Sequence, residues 1–297
     1  MKATLAQIAP RLGRVDDNLA EHRRLIAEVW AAGSDLLVFP ELSLTGYLLR
    51  DHVAHVAVPA ADLAELFAGV TGGPRPLEVV VGFVELSAAY HCYNSSAHLR
   101  LLPGAPPALL AVHRKVHLPT YGMFDERRYF AAGRELRAYD SPLLGRTGML
   151  ICEDLWHPSS AYVLSVDGPR YEGMQMLLAI ANSPARGVRD TAHFSVANLD
   201  TWRRLTWLYA KLFGVVVAHC QRVGVEDSYI FTGGSEILAP GGDPLAQAAP
   251  FDEELLTAEF DLADLVRWHR SVAPFSMGDD LETVQRELTR VTGEAFR

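Results

Sequence analysis

Apolar and polar positions alternate along this chain with two different periods. "TLAQIA" (residues 4–9) reads as a strand. The following "DDNLAEHRRLIAEVWAAG" (16–33) places Leu19, Ile26 and Val29 near helical spacing behind acidic or amide N-caps, with Gly33 as C-cap. "DLLVF" (35–39) is apolar enough for a strand buried on both faces, and Asp62 to Val70 reads as a second helix. "LEVVVGFVEL" (77–86), "NSSAHLRLL" (94–102) and "ALLAVHRK" (108–115) form a run of paired strands. A loop from Val116 to Gly133 closes this half. Beyond it, "GMLIC" (148–152), "MQMLLAIAN" (174–182) and "VVVAHCQ" (215–221) predict strands, and "SSAYVLSV" (159–166) a short helix. "VANLDTWRRLTWLYAKLFG" (196–214) predicts a long helix stopped by Gly214. Last come a hairpin in "GGSEILAPGGDPLAQA" (233–248) around "PGGDP", a strand in "LLTAEFD" (255–261) and a terminal helix from Gly278 onward.

Strands this apolar need cover on both faces, while the helices carry charge along one side only. Two sheets packed face to face with helices on both outer surfaces satisfy both demands, which gives an α/β fold built as a four-layer α-β-β-α sandwich. No low-complexity stretch or compositional shift marks an internal boundary. The expectation is one domain over residues 1–270, followed by a C-terminal helical extension over 271–297.

Composition narrows the partners. Across 297 residues the net charge is −9, and no basic cluster exceeds "RR", so a concentrated positive face for nucleic acid is not expected. No stretch reaches the roughly 18 apolar residues of a membrane span, and Gln7 and Pro10 interrupt the first apolar run, so neither a membrane nor a secretion signal is expected. Cysteines at 92, 152 and 220 make neither a CxxC pair nor an even set, which argues against a disulfide framework and a zinc site and makes the cytoplasm the expected compartment. His52 with His55, and His113 with His117, have ligand-like spacing without a supporting Cys/His/Asp set. No metal and no cofactor are expected; the expected partner is a small molecule.

Candidate chemistry gathers at strand ends, where ligands bind in open α/β folds. In "GMLICEDLWHP" (148–158) the apolar run turns polar immediately at Cys152. A cysteine nucleophile acts as thiolate and needs a base or a positive neighbour near neutral pH. "DLLVF" runs into "PEL", which puts Glu41 at a strand exit, and "ALLAVHRK" delivers Lys115 at another. A carboxylate can take the thiol proton and later activate water, while an ammonium can balance the oxyanion. Each residue alone is as readily a surface acid, a basic side chain or a core thiol; the joint set is what points to catalysis. Neighbours on an extended strand face opposite ways, so Glu153 and Asp154 are not read as an acid pair for glycoside cleavage, nor His219 and Cys220 as a dyad. Cys92, in a polar turn, receives no role. Trp202, Trp207 and Tyr209 on one helix read as packing or interface residues.

"FPELSLTGY", "HRKVHLPTYGMFDERRYF", "GMLICEDLWHP" and "FTGGSEILAPGGDPL" (231–245) together resemble the successive signatures of the nitrilase, or carbon-nitrogen hydrolase, superfamily, in order over nearly the whole chain. The resemblance implies a nitrilase-like sandwich and a Glu-Lys-Cys triad on Glu41, Lys115 and Cys152. Within the superfamily, "PELSLTGY", "LPTYGMFDERRYF" and "CEDLW" are most similar to the glutaminase domain of glutamine-dependent NAD synthetases. That closer resemblance implies a glutamine-type amide as substrate and Glu126 as a second active-site glutamate. It also implies Tyr121, Glu153, Trp156 and Ser183 (in "ANSPARG") lining the substrate pocket, Glu153 against an α-ammonium group, and the Glu153 N–H joining Lys115 in the oxyanion hole. Those synthetases continue into an ATP-dependent domain, whereas this sequence ends at Arg297. "FTGGSEIL" lies in a hairpin rather than before a phosphate-capping helix. The expectation is therefore an amidohydrolase, acting alone or feeding ammonia to a separate synthetase, and not a synthetase. A homodimer or higher homo-oligomer is implied, with the helix around Trp202 to Trp207 contributing. A nitrile or N-carbamoyl substrate, or a non-catalytic amide-binding module, remain as alternatives at this point.

Overall fold

The computed structural model describes residues 1–169, 173–190, 195–272 and 279–295. From the N-terminus the chain forms β1 (Lys2–Gln7), α1 (Val15–Ala31), β2 (Leu36–Val38), the one-turn helices α2 (Val53–Val56) and α3 (Ala60–Leu63), β3 (Leu77–Leu86), β4 (Cys92–Leu101) and β5 (Ala108–Arg114). Then follow α4 (Glu126–Tyr129), β6 (Tyr139–Ser141), β7 (Gly145–Ile151), α5 (Pro158–Val166), β8 (Met176–Ala181), the two short strands β9 (Val188–Asp190) and β10 (Ser195–Val196), and α6 (Ala197–Phe213). The remainder comprises β11 (Val216–Gln221), β12 (Val223–Glu226), β13 (Tyr229–Thr232), β14 (Glu236–Leu238), β15 (Pro244–Gln247), β16 (Glu254–Glu259), α7 (Leu262–Val272) and α8 (Leu281–Ala295).

Among the described residues these strands make two six-stranded sheets, ordered β16-β1-β2-β3-β4-β5 and β15-β14-β11-β8-β7-β6. Each has a parallel centre, β1-β2-β3 in the first and β7-β8-β11 in the second, with antiparallel strands outside it. Period-two alternation sends Leu36, Val38 and Val80 inward to meet Met149, Ile151 and Leu178 of the other sheet. Their neighbours Leu37, Phe39, Val79 and Val81 point outward and pack under Leu25, Ile26, Val29 and Trp30 of α1. On the far side, α5 and α6 cover the second sheet through Leu164, Trp202, Tyr209 and Phe213. The four-layer α-β-β-α sandwich expected from the sequence is the observed architecture. Gly214 ends α6 in the left-handed conformation at φ 61°, the capping role read from its position.

Some elements differ from the sequence reading. The helix expected over Asp62 to Val70 is only α3 and a 3₁₀ turn at Glu65–Phe67, because Ala68 turns extended and Gly69 left-handed. Cys92 opens β4 rather than lying in a turn, because the β3–β4 ladder continues to the Leu86–Cys92 pair. Cys152 lies one residue past the end of β7 and begins a 3₁₀ turn over Cys152–Trp156, so Glu153 and Asp154 are not on an extended strand. The strand β6, the β12–β13 hairpin and α7 had no separate signal in the reading. Gly278, the expected start of the tail helix, lies outside the described residues; α8 is helical over Leu281–Ala295.

Candidate active site

The loop after β2 carries Glu41 directly over β3. A Cβ on Gly82 would lie 2.4 Å from both the Leu42 nitrogen and the Pro40 oxygen, so glycine is what lets this turn rest on the strand. Glu41 is fully buried. Its Oε1 accepts hydrogen bonds from Lys115 Nζ at 2.8 Å and Asn94 Nδ2 at 2.7 Å, and its Oε2 accepts from the Asn182 N–H at 2.8 Å. Asn182 Nδ2 also donates to the Glu41 carbonyl at 2.9 Å. Three bonds fix the orientation of this carboxylate, and Oε2, with a single donor, keeps a lone pair able to accept a proton.

Lys115 follows β5 and is held through its backbone, donating to the Asn94 carbonyl at 2.9 Å and accepting from Gly133 at 2.8 Å. Its ammonium bridges two carboxylates, donating to Glu126 Oε1 at 2.6 Å as well as to Glu41. Glu126 opens α4, and Tyr47 donates its hydroxyl to the same Oε1 at 2.6 Å. Burial alone would neutralise Lys115, but Glu126 and Glu41 hold it charged, well above the ordinary amine range. Burial pushes Glu126 up to about 7, with Glu41 adding to the rise and Lys115 and Tyr47 opposing it.

Cys152 completes the cluster. It stands at the sheet edge with φ 45°, a left-handed backbone that a side-chain-bearing residue keeps only when its surroundings enforce it. It is buried, and burial followed by the Glu41 charge pushes its thiol well above the usual range, with Lys115 pulling the other way. The resting sulfur is therefore protonated, beside a carboxylate able to take the proton and a cation able to stabilise the anion that results. Glu41 and Lys115, picked from separate strand exits, meet in one buried ion pair, and the charges of both reach the Cys152 thiol.

The residues implied for substrate binding have partners of their own. Tyr121 is exposed and donates its hydroxyl to Glu153 Oε2 at 2.9 Å. Ser183, next to Asn182, is buried and its Oγ accepts from Trp202 Nε1 and Asn198 Nδ2, both at 2.8 Å. Trp156 is exposed and meets Trp202 edge to face at 5.2 Å. Sequence reasoning missed Asn94, Asn182 and Tyr47. Two amides inside apolar strands or at their ends were the available signal, since a buried amide must find a partner. His219 and Cys220 are core residues. Cys220 Sγ lies 3.4 Å from the Ala6 carbonyl and 3.2 Å from that of Val38, and burial pushes His219 down to about 3. Among the described residues no group of three or more His, Cys, Asp or Glu could hold a metal ion, and no helix is long and apolar enough to cross a membrane.

Residues 2–270 match the family model described as carbon-nitrogen hydrolase. A glutamine-dependent NAD(+) synthetase of Thermotoga maritima is 30% identical over 269 residues, covering 90% of this chain and 43% of that protein. The chain spans about half the length of the curated relatives it matches. Among solved structures, the carbon-nitrogen hydrolase of Helicobacter pylori G27 superposes with a TM-score of 0.78 at 20% identity, over 97% of this chain and 98% of that one. A double mutant of the amidase from Nesterenkonia sp. AN1 in complex with acrylamide superposes with a TM-score of 0.72 at 21% identity, over 91% of this chain and 94% of that one. The last two likenesses speak to the fold, and the first speaks with the family model to descent: the chain belongs to the carbon-nitrogen hydrolase family, enzymes that hydrolyse carbon–nitrogen bonds other than peptide bonds.

Proposed function

We propose that the chain is a cysteine amidohydrolase that cleaves glutamine, or a similar linear ω-carboxamide, to the carboxylate and ammonia through a thioester on Cys152. Glu41 takes the thiol proton as Sγ attacks the amide carbon. Lys115 and the N–H of Glu153, which lies in the first turn after Cys152 and has no partner within that turn, receive the oxyanion. The protonated Glu41 gives its proton to the leaving nitrogen, the C–N bond breaks and ammonia departs. Water deprotonated by Glu41 then attacks the thioester, the C–S bond breaks, and the thiol is restored. Glu126 keeps Lys115 charged and aimed; Glu153 pairs with the substrate α-ammonium, and Tyr121, Trp156 and Ser183 line the pocket. The observation that carries this reading is the Lys115 ammonium bonded at once to Glu41 and Glu126, in a buried cluster whose charges act on the Cys152 thiol.

The test is ammonia and carboxylate release by the full chain over glutamine, asparagine, simple ω-amides, nitriles and N-carbamoyl compounds. Glutamine or a close ω-amide should turn over fastest. Turnover confined to nitriles or N-carbamoyl compounds would reject the substrate assignment.

We further infer a homodimer and an ammonia-using synthetase as partner. The first is supported by the outward apolar side chains Trp207, Leu208 and Leu212 of α6, beside Val163 of α5. The second rests on relatives that are glutamine-dependent NAD(+) synthetases matched over about half their length. Light scattering should give about twice the 32.6 kDa chain mass; a monomer at working concentration removes the dimer.

A further inference from the structure

Cys152 and Lys115 leave different sheets, the first after β7 and the second after β5. Most of the contact between the sheets is apolar, made by side chains such as Val80 and Met149, and dispersion packing does not fix relative position as hydrogen bonds do; hydrogen bonds that cross it elsewhere, such as Asn182 to Glu41 and Ser141 to Glu78, start from strands other than β5 and β7. Yet the placement of the ammonium against the sulfur is a relation between those two strand exits. A misplacement of about 1 Å can cost on the order of 10²-fold in rate.

We propose that Asp154 is the positioning residue that fixes this relation, a single buried carboxylate bracketing the nucleophile turn and the lysine strand exit. It is fully buried, third in the 3₁₀ turn that Cys152 begins. Its Oδ2 accepts the N–H of Ile151, the residue before Cys152, at 3.2 Å, and Nε2 of His113 at 2.8 Å. Its Oδ1 accepts two consecutive backbone N–H groups, Val116 at 3.0 Å and His117 at 2.9 Å. Val116 follows Lys115 directly and His113 precedes it by two residues, so three of the four donors come from the lysine segment and one from the nucleophile segment. Burial works against ionisation here, but the bond from His113 and the backbone donors outweigh it and keep the carboxyl charged. A charged carboxylate is the side chain that offers acceptors to four donors at once. An amide in its place presents one oxygen and an NH₂ group, which faces N–H groups it cannot satisfy.

This assignment rests on the amidohydrolase reading for the roles of Cys152 and Lys115, so its test includes a readout independent of amide turnover. In Asp154→Asn the kcat for glutamine is expected to fall about 10- to 100-fold with KM changed less than about 3-fold. In parallel, the rate of Cys152 alkylation by iodoacetamide is followed against pH by intact mass. The charged or titratable groups acting on Cys152 include Glu41, Lys115, Glu126 and Glu153, with the phenols of Tyr47 and Tyr121 also coupled to it. Lys115 favours the thiolate, so loosening its placement shifts the alkylation profile to higher pH. His113→Leu removes one donor and is expected to move both readouts the same way by a smaller amount, about 3- to 10-fold in kcat. It decides the matter if Asp154→Asn does not fold. Folded variants with wild-type kcat and an unmoved alkylation profile would overturn the proposal. A lowered kcat with an unmoved profile would overturn it too, because that pattern reports lost folded enzyme. If the wild type releases no ammonia from any amide, the function above fails, and the alkylation profiles alone decide the role of Asp154.

Discussion

Cys152→Ala should release no measurable ammonia from glutamine, a loss of roughly 10⁴-fold or more, while melting as cooperatively as the wild type. The substitution removes one sulfur from a side chain only 6% exposed, so the packing cost is about 1 kcal/mol. The backbone at 152 gains nothing either, since alanine tolerates φ 45° no better than cysteine. What disappears is the proposed nucleophile, and the other core thiol cannot replace it: Cys220 faces backbone carbonyls, and burial pushes its thiol far above the usual range. Cys152→Ser should be nearly as inactive, because a hydroxyl is a much weaker acid than the thiol that Glu41 already has to deprotonate. Coupled ammonia assays with both variants, read beside thermal melts, separate the two effects. Appreciable turnover by a folded Cys152→Ala protein would remove the thioester mechanism.

The architecture was legible because strands apolar on both faces, such as "DLLVF" and "MQMLLAIAN", demand cover on both sides, and helices with one charged face can supply it. The three groups proposed to react were legible for a related reason: each interrupts an apolar run at its end, where a polar side chain contributes little to packing. The supporting residues were harder to see. Asn94 lies within β4 and looks like a break in an apolar pattern, yet its amide holds Glu41 and its carbonyl holds the Lys115 backbone. Tyr47 stands six residues from Glu41 in the same motif, but its bond to Glu126 joins positions 79 residues apart. Asp154 was set aside on the assumption of an extended strand, and the left-handed backbone at Cys152 is what turns its carboxylate inward instead. Such pairings depend on how two sheets meet, and local periodicity carries no information about that.

Lys115→Met should abolish turnover by at least about 10³-fold, and it should also make stability fall with rising pH more steeply, and up to a higher pH, than in the wild type. The catalytic loss follows from removing the cation that receives the oxyanion, an interaction worth roughly 10²- to 10³-fold by itself, and from freeing Glu41 of the contact that orients it. The stability effect follows from what remains. Glu41 and Glu126 are both buried, share Lys115 as their counter-ion, and are close enough that Glu41 raises the Glu126 pKa. Glu126 is at about 7 with the lysine present, against 4.5 in its absence of surroundings, and deleting the lysine removes the opposing pull and drives it higher. A carboxyl whose folded pKa exceeds its unfolded one binds more protons folded than unfolded across that interval. Its stabilising contribution is complete below the unfolded value and is lost as pH rises through the folded one. The variant should therefore resemble the wild type most closely near pH 5 and weaken progressively through pH 7 and above, where one buried carboxylate is left without a partner at a cost of roughly 3–5 kcal/mol. For a chain of this size that corresponds to a melting temperature lowered by on the order of 10 °C at alkaline pH. Melts of wild type and Lys115→Met from pH 5 to 9 provide the check. Parallel curves, with the same offset at every pH, would mean that the lysine does not hold the Glu126 carboxyl down.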